Sequence, residues 1–117
     1  MSEKQNGQLA ITVYAKYYRI CIYRSVLAAL GNPRFIHLGV NDQATGVMVL
    51  GKWGEQQRAL RVHLNKNGTF MVHSKALIEE IQAASGMMTE PGSYRLRGRL
   101  LEAENAVVFP VKDMEKL

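Results

Sequence analysis

The sequence predicts an α+β fold in which two βαββ-like halves, related by a pseudo-twofold axis, form one mostly antiparallel sheet or barrel with two short helices. Three observations carry this. Short runs of β-branched and aromatic residues alternate with turn residues along the chain. Two segments place apolar residues at helical spacing. The order strand, strand, short helix, strand, strand occurs twice.

Residues 9–14 (LAITVY) and 19–23 (RICIY) are β-branched and aromatic enough to be strands. In RSVLAALGNP, Val26, Leu27 and Leu30 share one face, Ser25 is placed to cap, and Gly31 followed by Asn32-Pro33 closes the segment, which predicts a helix of one or two turns. RFIHLGV and GVMVLGKW are strands around the turn-prone NDQATG. The second half opens with RALRVHL, where Leu60, Val62 and Leu64 share a face, turns at NKNG and continues as TFMVH. SKALIEEIQAASG has Leu77, Ile78, Ile81 and Ala84 at helical spacing, with Ser74 as cap and Gly86 as terminator. After Pro91-Gly92, SYRLRGRLL and NAVVFPV make a hairpin that turns near EAEN.

Pairing Ile20-Cys21-Ile22 with Phe70-Met71-Val72 places Leu27 on Leu77. Larger offsets then bring Pro33 onto Pro91, Phe35-Ile36 onto Ser93-Tyr94, Leu38 onto Leu96, Val47 onto Val107 and Lys52 onto Lys112. The repeat is one of pattern more than of letters, so a true duplication and the ordinary alternation of a small α+β chain both account for it. Neither half is large enough to bury its apolar face alone, so strands of both are expected to share a sheet. Residues 9–113 then form one domain, with halves near 9–57 and 58–113, between a disordered tail at 1–8 and a short tail at 114–117.

At 117 residues the chain fits a single domain. Its 47% hydrophobic and 21% charged content excludes disordered and fibrous classes. The net charge of +5 favours a polyanionic partner. Basic residues outnumber acidic ones six to three up to Gln57 and nine to seven after it, which points to a folded basic surface. Cys21 stands alone, so no internal disulfide is possible, and its apolar neighbours predict a buried thiol. The opening MSEKQNG lacks the pattern of a secretory leader, and no apolar run approaches the roughly 20 residues that span a bilayer. A cytoplasmic protein without a membrane partner is expected.

NKNGTFMVHSKALIEEIQAASG, a turn, strand and helix within a βαββ unit, resembles the swapped-hairpin domains of the AbrB, MazE and MraZ group. MraZ-like proteins carry two such units in one chain, and the resemblance spans roughly residues 9–113. It implies DNA binding and transcriptional regulation. This chain has Gly68-Thr69 and Tyr18-Arg19 where the family has Gly-Arg, Tyr23 and His73 where the family has Pro before the helix, and Asn65 for the usual acidic residue. Carried over by position, the resemblance assigns nucleic-acid contacts to Arg19 and Arg24 in the first half and to Lys66 and Lys75 in the second.

Alternation in GSYRLRGRL puts Tyr94, Leu96, Gly98 and Leu100 on one face and Arg95, Arg97 and Arg99 on the other. Three guanidiniums in a row suit phosphates, or form the solvated side of a sheet with Glu102 and Glu104 as partners across the hairpin. Tyr14, Tyr17, Tyr18 and Tyr23 cluster around Lys16, Arg19 and Arg24, a mixture that either stacks bases or buries its rings. Trp53, beside Lys52, reads as a core or interface residue. His37, His63 and His73 lack the close spacing that preforms a metal site, and no catalytic motif is present, so neither metal, cofactor nor enzymatic activity is expected. The expected partner is nucleic acid, with double-stranded DNA the first candidate. The alternative is a protein-interaction module, antitoxin-like or an accessory protein of a phage or mobile element, docking through a sheet edge or the Met87-Met88 patch. The chain is either a monomer with internal pseudo-symmetry or a homo-oligomer.

Overall fold

The computed structural model describes residues 9–54, 57–86 and 92–117. The readings placed on residues 1–8, on Met87-Met88 and on Pro91 lie outside these. The first β-branched runs become β1 (Ala10–Tyr14) and β2 (Arg19–Tyr23), joined by a 3₁₀ turn over Ala15–Tyr17 and by Tyr18 in the left-handed region. Helix α1 (Arg24–Ala29) follows at once, then β3 (Phe35–Val40) and β4 (Gly46–Lys52). The second half contributes β5 (Leu60–Arg61), β6 (Thr69–His73), α2 (Lys75–Ser85), β7 (Ser93–Arg97), β8 (Arg99–Leu101), β9 (Ala106–Pro110) and β10 (Glu115–Lys116).

The strands form two five-stranded sheets, ordered β10-β7-β1-β2-β6 and β5-β3-β4-β9-β8. The described pairings are antiparallel. In place of the one shared sheet or barrel expected from the sequence there are two sheets, each built from both halves. The reason lies at Gly98. SYRLRGRLL is one run that leaves the first sheet after Arg97 and enters the second at Arg99. Between them, Gly98 passes so close to the buried Phe109 ring that a Cβ there would come within 2.6 Å of it. Its N–H donates to the Leu9 carbonyl at 2.9 Å, one step beyond the Ala10–Arg97 pair of the β1·β7 ladder.

Four ladders join the halves: β1·β7, β2·β6, β3·β5 and β4·β9. In β2·β6, Cys21 faces Met71, flanked by Ile20 with Val72 and Ile22 with Phe70. In β4·β9, Met48 faces Val108, flanked by Val47 with Phe109 and Val49 with Val107. Ile11, Val13, Ile20 and Ile22 from the first sheet meet Ile36, Val47, Val49, Val107 and Phe109 from the second, all fully buried. The helices close the core with Val26, Leu27, Leu30, Leu77, Ile78 and Ile81. Each such side chain contributes about 1.5–3 kcal/mol on burial. The radius of gyration, 13.3 Å, is that of one compact domain of this length, about 13 Å.

Some local expectations differ. Ser25 does not cap α1, which begins after Tyr23 with no side-chain cap. Ser74 does cap α2, its hydroxyl accepting from the Leu77 N–H at 3.1 Å. RALRVHL yields only a two-residue strand, which pairs with β3, Leu60 opposite Ile36 and Arg61 opposite Phe35. The turn that follows is held by Asn65, whose Oδ1 accepts from the Asn67 and Thr69 N–H groups and the Thr69 hydroxyl. Residues 114–117, expected as a tail, supply edge strand β10 against β7. Among the described residues no helix is long and apolar enough to cross a membrane.

Candidate nucleic-acid interface

The strand bend separates the three arginines. Arg95 lies on the outer face of the first sheet, in a row that runs Arg95, Thr12, Cys21, Met71 across four strands. Its side chain is half-buried, and its Nε is buried without a hydrogen-bond partner among the described residues. Arg97 is exposed and donates from Nη1 to Glu115 Oε1 at 3.0 Å. That carboxylate comes from β10, where the sequence suggested Glu102 or Glu104. Arg99 belongs to the second sheet, opposite Val108.

The neighbouring row on the first sheet runs Ser93, Tyr14, Arg19, His73, and here cations and rings interleave. The Arg19 guanidinium lies 5.0 Å from the Tyr17 ring centroid and 5.9 Å from that of Tyr14. Lys16 Nζ sits 5.7 Å from the Tyr17 ring, and Lys75 Nζ sits 5.8 Å from the Tyr18 ring. Cations over aromatic faces are attracted by the ring quadrupole, which limits the freedom of otherwise mobile side chains. Tyr17 and Tyr18 stay 55% and 39% exposed. Among the described residues, neither Lys16, Arg19 nor Lys75 is paired with a carboxylate.

The four tyrosines divide. Tyr23 turns back over the sheet, its hydroxyl 2.7 Å from Oγ1 of the buried Thr12. Tyr14 is half-buried beside it. Burial holds the Tyr14 phenol above its ordinary pKa, Tyr23 and Cys21 act in the same direction, and Arg19 and Arg95 oppose them. Arg19 and Arg95 thus flank one phenol. Tyr17 and Tyr18 point away from the protein at the β1–β2 turn. Cys21 is buried, as its sequence context predicts.

The carried-over positions fall in two places. Arg19 and Lys75 meet at the β1–β2 turn. Arg24 and Lys66 lie at the turn before β6, where the Arg24 guanidinium crosses Gly68 so closely that a Cβ there would come within 2.8 Å of it. Lys16 escaped the sequence-based site list although the cation sits in the same AKYYR turn. Trp53 is 56% exposed, with its ring packed where a Cβ on Gly31 would stand, so of the core or interface position expected for it the core is excluded.

The outer face of the second sheet is chemically different. Gly39, Met48, Val108 and Arg99 form one row, and His37, Leu50, Ala106 and Leu101 the next. Beside it, Arg99, Glu104, Pro110 and Lys112 border a groove of about 690 Å³. Among the described residues no group of His, Cys, Asp or Glu is placed to hold a metal ion. No protein-family model matches the chain, and neither a curated protein nor a solved structure is similar enough to count as a match.

Proposed function

We propose that this is a non-enzymatic nucleic-acid-binding protein whose first sheet contacts phosphates through its outer face. One observation carries the reading: Lys16, Arg19 and Lys75 are held over tyrosine rings, and no carboxylate among the described residues neutralises them. A charge cluster restrained in this way keeps its capacity to displace counterions from a phosphate backbone, the main source of nucleic-acid affinity. Arg95 adds a half-buried guanidinium on the same outer face, and Arg24 and Lys66 extend the basic surface to the other end of β2·β6. Arg97 is engaged with Glu115, and Arg99 contributes from the second sheet. The activity needs neither cofactor nor metal.

The swapped-hairpin resemblance makes double-stranded DNA the first partner to test and transcriptional regulation the role. Two features support the tandem-repeat architecture behind it. The Cys21–Met71 and Met48–Val108 pairs sit at the centres of ladders whose flanking pairs exchange when the halves are interchanged. That is the register a pseudo-twofold axis through both pairs requires.

Fluorescence anisotropy with a labelled mixed-sequence nucleic acid, from low to physiological salt, tests the binding. Micromolar affinity that falls steeply with salt is expected. No binding at the lowest salt defeats the reading.

A second reading, a protein-docking module, draws on the half-buried Met48 and Leu50 of the second sheet, which border open grooves on its outer face. Apolar faces of that kind serve protein partners. Complex formation there would be insensitive to salt, which separates the two readings.

A further inference from the structure

We infer that the β1–β2 turn takes a single strand, with unpaired bases stacked on Tyr17 and Tyr18. This rests on the phosphate-binding reading above but departs from its first candidate partner, putting a single strand in place of duplex DNA.

Phosphate binding alone gives no reason for two exposed rings at this turn. Tyr18 occupies the left-handed region at φ 54°, which disfavours any residue with a Cβ. The corresponding position of the turn before β6, 50 residues on, is Gly68 at φ 79°, the residue such geometry favours. The first turn thus keeps a strained tyrosine where glycine is the comfortable choice. It also presents that ring to solvent beside a second one, with Lys16, Arg19 and Lys75 around the pair.

The two turns also differ in what they can recognise. Lys16 and Lys66 occupy equivalent positions, but the first turn reads AKYYR and the second NKNGT. A symmetric duplex would present similar groups to both. The aromatic groups stand at one turn only, which fits a strand that runs over that turn in one direction. Bases in a duplex are already stacked on their neighbours and offer no face to a tyrosine. Unpaired bases do, and aromatic rings beside a basic track are the means by which single strands are held without sequence preference.

The test is anisotropy with a fluorescein-labelled mixed-sequence 12-nucleotide DNA strand, and with the same strand annealed to its complement, against the wild type, Tyr17→Ala, Tyr17→Phe and Tyr18→Gly. Tyr18→Gly suits the left-handed backbone, so the fold is expected to survive, and thermal unfolding checks that it does. Expected are single-strand binding at least roughly tenfold tighter than duplex binding and a loss of about 5- to 150-fold in single-strand affinity for Tyr17→Ala and for Tyr18→Gly. Tyr17→Phe should bind as the wild type does, and the salt slope should not change. Duplex binding equal to or tighter than single-strand binding overturns the inference and leaves the nucleic-acid reading intact. Single-strand binding indifferent to the tyrosine substitutions also overturns it. Failure of both probes at low salt removes the nucleic-acid reading itself.

Discussion

The backbone N–H of Ser74 donates to the carbonyl oxygen of Tyr18 at 2.9 Å. This bond ties the β1–β2 turn to the residue that starts α2. Since Ser74 also caps the helix with its hydroxyl, one residue fixes both the helix end and the turn. It places Lys75 over the Tyr18 ring from a distant part of the chain.

Replacing Ser74 with alanine keeps the backbone bond and removes the cap. The leading N–H groups of α2 then lose an acceptor, at a cost of about 1 kcal/mol. Urea unfolding should show that loss for Ser74→Ala, while Ser74→Asp, which caps equally well, should retain most of the stability.

Gly98→Ala should be far more damaging. Its Cβ would come within 2.6 Å of the Phe109 ring and 2.7 Å of the Val108 carbonyl oxygen, and Phe109 is completely buried. Overpacking of this kind costs about 1–3 kcal/mol or more, read as a lowered Tm. The double variant Gly98→Ala/Phe109→Leu should recover part of the loss.

Arg97 and Arg19 should separate in binding assays although both are strand arginines. Arg97 forms an exposed ion pair with Glu115, so Arg97→Gln should change stability by no more than about 1 kcal/mol and nucleic-acid affinity only slightly. Arg19→Gln removes a guanidinium held between two rings and should weaken binding and flatten its salt dependence by about one unit of slope.

Tyr14 predicts an alkaline effect. Burial raises its pKa above the ordinary 10.0, so the folded protein holds this proton more tightly than the unfolded chain. The resulting stability is fully present below pH 10.0 and is lost as the pH climbs through the raised value. Urea midpoints measured from pH 9 upward should fall less steeply for Tyr14→Phe than for the wild type.

Much of the fold was legible because local signals and tertiary contacts agree. The pattern of LAITVY, RICIY and TFMVH announced strands that exist, and Ser74 and Gly86 marked the ends of α2. The division into two sheets was not legible, because it depends on how closely Gly98 approaches Phe109, a contact between residues that alternation alone does not bring together. Nor was the partner of the short β5 legible, since it is β3 of the other half. Of the arginine row, Arg95 and Arg97 do share one strand, β7, whereas Arg99 falls on β8 in the other sheet. The bend and Glu115 from the last strand then gave its members three different surroundings. At the β1–β2 turn the composition was visible, but which of the four tyrosines would be exposed depended on the turn geometry at Tyr18 and on Thr12, which holds Tyr23 against the sheet.

The most direct test of the central claim is an NMR titration of the ¹⁵N-labelled protein with a short mixed-sequence DNA at low salt. The account predicts amide shifts concentrated on residues 15–19 and 73–75, with weaker changes near Arg95 and at Arg24 and Lys66. Shifts confined to Met48, Leu50 and Val108 on the second sheet, or no shifts at all, would contradict it.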